Sequence, residues 1–229
     1  TQDYGFWVSV GLLVAAPLLL LGRSGAPSTE SCNVTLIDLW RFCQTLPAIG
    51  WAVALFATFE ALILTLLPVY CLSQGFTEDV ALAMVSTVVV GDALLQLPIG
   101  ALADRVSRRG LFTGCALILL CSSLAIPLLL DSVLIWPLWV LFGASAGGLF
   151  TLSLILIGER YRDDALVRAN AHVAQLWGIG CLIGPLVAGA GSQWVSGHAM
   201  LLLVAAGAFG LLLLLLRQGA FGSVQAQPL

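Results

Sequence analysis

Long apolar runs, separated by short polar stretches, set the pattern of this chain. A helix needs about 20 mostly apolar residues to cross the hydrocarbon core of a bilayer. By that rule the pattern predicts seven membrane spans, over roughly residues 5–22, 47–72, 79–102, 110–130, 133–157, 167–190 and 199–216. Residues 23–46 make a longer connection, with the turn formers Gly25, Pro27 and Ser28 followed by Leu36-Ile37-Asp38-Leu39-Trp40-Arg41-Phe42. That second part reads equally as a short amphipathic helix lying at the membrane interface, with Trp40 and Arg41 at headgroup depth, or as an ordinary linker. The later connections are short, so the layout is one span, a linker and a compact block of six.

Composition agrees. The chain is 60% hydrophobic and 9% charged, with a mean hydropathy of +1.04, whereas a soluble domain carries about 25% charged residues. The fold class is all-α, a polytopic transmembrane helical bundle. A net charge of −3 with no basic patch points away from nucleic acid. The six cysteines are Cys32, Cys43, Cys71, Cys115, Cys121 and Cys181. They contain no CxxC pair and read as small packing residues rather than disulfides or metal ligands. No nucleophile–base set, metal cluster or phosphate loop is visible, so neither enzyme chemistry nor a cofactor is expected. The first run follows Asp3 without a basic flank, unlike a signal peptide, and the chain is expected to be truncated at its N-terminus.

The charges then set the orientation. There is no lysine, and the nine basic residues are Arg23, Arg41, Arg105, Arg108, Arg109, Arg160, Arg162, Arg168 and Arg217. Every one follows an odd-numbered span. The positive-inside rule puts that side in the cytoplasm. The N-terminus is then outside, residues 23–46 form a cytoplasmic linker, residues 47–217 a six-helix domain, and residues 218–229 a cytoplasmic tail.

Small residues are dense in two spans: Gly143, Gly147 and Gly148 in the fifth, and Gly178, Gly180, Gly184 and Gly189 in the sixth. Without side chains, membrane helices approach closely and gain packing energy. Pro185 lies inside the sixth span, where its missing N–H and its ring bend a helix. Gly184-Pro185 is therefore a candidate moving part or a static kink.

Ionisable residues inside a span are expensive, and each is a functional hypothesis by default. Glu60, in the second span, has no lysine or arginine within the spans to neutralise it. It is the first candidate for proton coupling or substrate contact, against a protonated packing residue. Asp92, in the third span, has Gln96 one turn away on the same face, so the two form a polar stripe that lines a cavity or bonds to a neighbouring helix. Asn170 and His172 lie near the cytoplasmic end of the sixth span, where His172 can titrate near neutral pH and where polarity is also ordinary. The stretch Glu159-Arg160-Tyr161-Arg162-Asp163-Asp164 reads as a solvated loop whose acids could meet the arginines of another cytoplasmic loop.

That other loop is Gly100-Ala-Leu-Ala-Asp104-Arg105-Val-Ser-Arg108-Arg109. It cannot sit in hydrocarbon and must turn the chain between two spans. Gly100 would let another helix pack close, Asp104 would cap a helix or pair with an arginine, and Arg105, Arg108 and Arg109 would reach carboxylates or lipid headgroups. From chemistry alone the loop is a positive-inside anchor before it is anything else.

The same ten residues resemble the loop signature of the major facilitator superfamily, G-x-x-x-D-R-x-G-R-R. Gly100, Asp104, Arg105, Arg108 and Arg109 match, and Ser107 stands where the family often has Gly. The family carries the signature after its second and eighth helices and has one long linker after its sixth. The seven spans here resemble helices six to twelve. Leu66-Leu67-Pro68-Val69-Tyr70, Gly75, Gln96-Leu97-Pro98-Ile99-Gly100, Asn170 and Gly184-Pro185 further resemble the YcaD-type branch of bacterial transporters. The resemblance implies the last helix of an N-terminal half followed by a whole C-terminal half. It implies a multi-pass protein of the bacterial inner membrane that moves a small solute by alternating access, coupled to ions and most simply to protons, as symport or antiport. Its partners would be solute, protons, membrane lipids and the missing N-terminal half, which would hold the partner that Asp104 meets to close the cytoplasmic face. The alternative is a non-transporting seven-span scaffold or receptor-like protein.

Overall fold

The computed structural model describes residues 35–103, 105–194 and 197–217. The predicted first span, most of the linker, Asp104 and the tail from residue 218 lie outside the described residues. Among the described residues there are eight helices and no strand. They are α1 Leu36–Thr45, α2 Pro47–Thr65, α3 Leu67–Ser73, α4 Glu78–Ala103, α5 Arg108–Leu129, α6 Ile135–Arg160, α7 Asp163–Trp194 and α8 Ala199–Arg217. Six of these, α2 and α4 to α8, are long and apolar enough to cross a membrane. The chain is a helical multi-pass membrane bundle.

The ends of the helices follow from local chemistry. Thr35 caps α1: its hydroxyl accepts from the Asp38 N–H, and the Asp38 carboxylate accepts from the Thr35 N–H at 3.2 Å. This reciprocal capping box satisfies two backbone donors at once, so the stretch from 36 to 45 is a helix rather than an extended linker. Pro47 opens α2, where its missing N–H costs nothing. The predicted single span 47–72 is divided at Leu66. Pro68 offers no N–H to the Leu64 carbonyl, and its ring crowds that carbonyl. At their polar ends, α6 runs on to Arg160 and α7 starts at Asp163, beyond the apolar pattern. Apolarity marks only the hydrocarbon part of a helix, and acids in a first turn or a base in a last turn suit the helix dipole.

Two seams hold the spans together. In the first, α4 packs on α6 so closely that glycine is required on both sides. A Cβ at Gly91 would overlap the Val140 carbonyl, and one at Gly143 would overlap the Val88 carbonyl. In the second, α7 packs on α2. A Cβ at Gly180 would come within 2.7 Å of the Ala54 carbonyl oxygen, and one at Gly184 within 2.8 Å of Thr58 Cγ2. Thr58 Oγ1 donates to the Gly180 carbonyl at 3.3 Å, and the Cys181 thiol to the Ala57 carbonyl at 3.6 Å. The small residues of the fifth and sixth predicted spans thus meet different partners. Helix α7 continues through Pro185 to Trp194.

Helices α5 and α8 pack on each other, α5 also covering α6 and α8 covering α2. One large apolar cluster runs through α2 to α8. A second, smaller one joins Leu39 and Phe42 of α1 to Ile49 and Val53 of α2, Ile157 of α6, and Val173 and Leu176 of α7. That cluster docks α1 onto the bundle.

Candidate functional site

Glu60 and Asp92 come from different helices and lie in electrostatic reach of one another, each half-buried. Glu60 sits on α2 two residues beyond Thr58, where α7 crosses, and its charge also reaches Cys181 on α7. Asp92 sits in the α4–α6 seam. Gln96 Nε2 donates to its Oδ1 at 2.9 Å, and Gly147 of α6 leaves the space that this oxygen fills. The polar stripe expected from the i, i+4 spacing is formed, and it is sealed on one side by a glycine. Two carboxyls and an amide are therefore held at one level of the bundle by α2, α4 and α6, with α7 beside them.

Aromatic rings back this group, and the sequence reading missed them. Phe56 stacks on Phe150 with centroids 4.8 Å apart, and Trp177 meets both edge-on, at 5.4 and 5.0 Å. Phe59, the neighbour of Glu60, meets Phe142 edge-on at 4.9 Å. Edge-to-face and offset contacts of this kind are favourable beyond their buried area. The signal was present as Phe56 and Phe59 at i, i+3 on one face. Their partners on α6 and α7 are about 90 and 120 positions away, and no local pattern links them.

His172 and Asn170 do not join this site. His172 is buried toward the N-terminal end of α7, stacked on Phe42 of α1 with centroids 5.3 Å apart and hydrogen-bonded to Gln175 at 3.2 Å. It lies eight residues before Gly180, about 12 Å along the helix axis at 1.5 Å per residue. Asn170 is exposed. The two share a helix with the site but not its depth.

The loop after α4 is placed residue by residue. Gly100 lies within α4, and a Cβ there would meet nothing within 4 Å among the described residues. The expectation that another helix packs close at Gly100 is not met; the close approaches to α4 fall lower, at Gly91 and at Val88. Ser107 has φ −58, a conformation open to any residue, so the departure from the family's glycine carries no backbone strain. Arg105 is exposed. Arg108 forms an ion pair with Glu159 at the end of α6, which is the pairing across connections expected from the sequence, and its Nε reaches the Ala103 carbonyl at 3.4 Å. Arg109 Nη2 donates to the Leu215 carbonyl at 3.0 Å, filling one of the orphan acceptors at the C-terminus of α8. Together these arginines tie α4, α5, α6 and α8 at one end of the bundle.

The arginine-rich turn between two spans, over a six-span bundle joined by glycine seams, matches a known family over most of the chain. Residues 49–223 match the Major Facilitator Superfamily. The chain belongs to this superfamily. Among its relatives is the uncharacterized MFS-type transporter YcaD of Escherichia fergusonii, 25% identical over 212 residues, which are 92% of this chain and 54% of the relative. An uncharacterized MFS-type transporter of Enterobacter sp. is 27% identical over 153 residues, or 67% of this chain and 39% of the relative. One of Yersinia enterocolitica is 26% identical over 153 residues. The chain spans about half the length or less of these relatives. As a superfamily member it is a multi-pass membrane protein of a transporter family. Among the described residues, no group of three or more His, Cys, Asp or Glu side chains converges as metal ligands would.

Proposed function

We propose that this chain provides the C-terminal six-helix half of a proton-coupled secondary transporter, with the last helix of the N-terminal half preceding it. The transporter moves a small solute across the bacterial inner membrane by alternating access. Glu60 is the coupling group, and Asp92 and Gln96 supply the polar wall beside it. The observation that carries this reading is the placement of Glu60. A carboxyl in a membrane span lies in electrostatic reach of a second carboxyl on α4, beside the α2–α7 seam. Such a group exchanges a proton more readily than it carries a permanent charge. Protonation also changes its repulsion from Asp92, which ties proton binding to the spacing of α2 and α4.

The cytoplasmic side is assigned by the arginines. The turn from Gly100 to Arg109 is the gate on that side: Arg108 and Arg109 tie α5 to α4, α6 and α8, and Asp104 is the residue of the turn that meets the other half. Gly184-Pro185 is the bend about which α7 moves against α2. Rocking of two such bodies around a site near the midplane is the usual route of alternating access. The relatives' additional length is consistent with a second body that completes the solute site. The test is Glu60→Gln in the full-length protein. Proton-coupled uptake or efflux, read as solute movement driven by an imposed pH gradient in proteoliposomes, should be lost with insertion unchanged. Undiminished gradient-driven movement would remove Glu60 from the mechanism.

A further inference from the structure

A cavity of about 300 Å³ lies at the junction of α1 and α7, well away from Glu60 and Asp92. Arg41 and Asp38 of α1 line one side, Arg168 and His172 of α7 the other, and Tyr161 closes it. The two guanidinium groups come from different helices, so the docking of α1 through Phe42 onto His172 is what brings them to one space. Asp38 is already engaged: its carboxylate holds Thr35 in the capping box and lies 3.7 Å from Arg41. The cavity therefore presents two guanidinium groups and a buried imidazole against one carboxylate that is occupied in capping.

The geometry of α1 says what such a cavity faces. At about 3.6 residues per turn, Leu39, Phe42 and Cys43 share one side of α1 and turn into the bundle. Leu36, Ile37 and Trp40 share another and are exposed, at 76%, 64% and 66%. Arg41, Thr45 and Asp38 fall between the two sides. An apolar face carrying Trp, on a helix that joins a membrane bundle, sits at the boundary between headgroups and acyl chains. The polar strip beside that face, and the cavity it borders, then lie at the depth of lipid phosphates. Arginine forks match phosphate oxygens in pairs.

We infer that the α1–α7 cavity binds the phosphate-bearing headgroup of an anionic membrane lipid, held by Arg41 and Arg168 with His172 beside them, with the acyl chains alongside Trp40, Leu36 and Ile37. The bound lipid bridges the linker helix to α7, the helix that also packs against the α2 segment carrying Glu60. Lipid charge would in this way reach the position of a helix in the transport seam.

The test uses the chain in a neutral detergent, with added phosphatidylglycerol, phosphatidylcholine or inorganic phosphate. The readouts are the thermal unfolding midpoint and the lipids retained in native mass spectrometry. Phosphatidylglycerol should raise the midpoint and remain bound, phosphatidylcholine should do so weakly, and millimolar phosphate should not. R41Q/R168Q should lose most of the phosphatidylglycerol shift and bind that lipid at least tenfold more weakly. If the double variant does not fold, R41Q alone, at an exposed position, should lose a clear part of the shift. Equal protection of wild type and variants, or equal protection by the two lipids, would overturn the site. Protection by inorganic phosphate as strong as by phosphatidylglycerol would assign the cavity to a soluble phosphate compound and overturn the lipid.

Discussion

The two seams of the bundle use glycine differently. Between α4 and α6 the glycines lie on both helices and face backbone: Gly91 meets Val140, and Gly143 meets Val88. Between α2 and α7 the tight contacts are at Gly180 and Gly184 of α7, which face small side chains as well as backbone, and Thr58 bonds a carbonyl across the gap. Backbone cannot move aside without moving its helix, whereas a threonine can change rotamer. The first seam is therefore expected to resist an added methyl group more strongly than the second does at Gly184, where a side-chain methyl is the nearest obstacle. The polar groups follow this division. Asp92 and Gln96 are packed into the α4–α6 seam, while Glu60 stands beside the α2–α7 seam.

The comparison breaks most sharply at Gly143. Gly143→Ala should destabilise the bundle by about 1–3 kcal/mol, the usual range for overpacking a filled interior, measured by unfolding in mixed micelles. An unchanged stability would mean that the α4–α6 seam is looser than its geometry. Gly184→Ala should cost less, because its nearest obstacle is Thr58 Cγ2, and Thr58→Ser should relieve much of the loss. Serine removes the methyl group and keeps a hydroxyl for the Gly180 carbonyl. A double-mutant cycle gives the coupling directly, and additivity of the two changes would show that the α2–α7 seam is as stiff as the other. The smallest effect lies outside both seams, in α1. The hydroxyl of Thr35 is the main cause that holds the Asp38 carboxyl below its ordinary value of 3.8, followed by the Thr35 backbone N–H, with the Arg41 charge adding to both. A depressed carboxyl stabilises the fold above its ordinary value and loses that contribution as pH falls through the folded value. Amide exchange in the first turns of α1, corrected for its intrinsic rate, should therefore accelerate below about pH 4, and Asp38→Asn should remove that dependence.

Much of this architecture is legible in the chain itself. The six spans from residue 47 onward, the turn after α4 and the small residues at the helix contacts follow from apolar length, charge and side-chain size, which act locally. The Asp92–Gln96 stripe follows from helical spacing. The division at Leu66 was signalled by Pro68, but an unbroken apolar run concealed it. Gly100 illustrates what spacing alone leaves open. A glycine in a helix looks like a contact point, yet only a neighbouring helix makes it one, and among the described residues none is there.

The sequence by itself determined that this chain crosses a membrane as helices, which spans do so, and that its arginines gather on one side. Each is a matter of transfer between water and hydrocarbon, decided residue by residue. Only the tertiary structure decided which neighbour each seam glycine meets, that Glu60 and Asp92 come into electrostatic reach, and that His172 stacks on Phe42 of α1. These are distances between helices separated by tens to more than a hundred positions, and they depend on how rigid cylinders settle against one another.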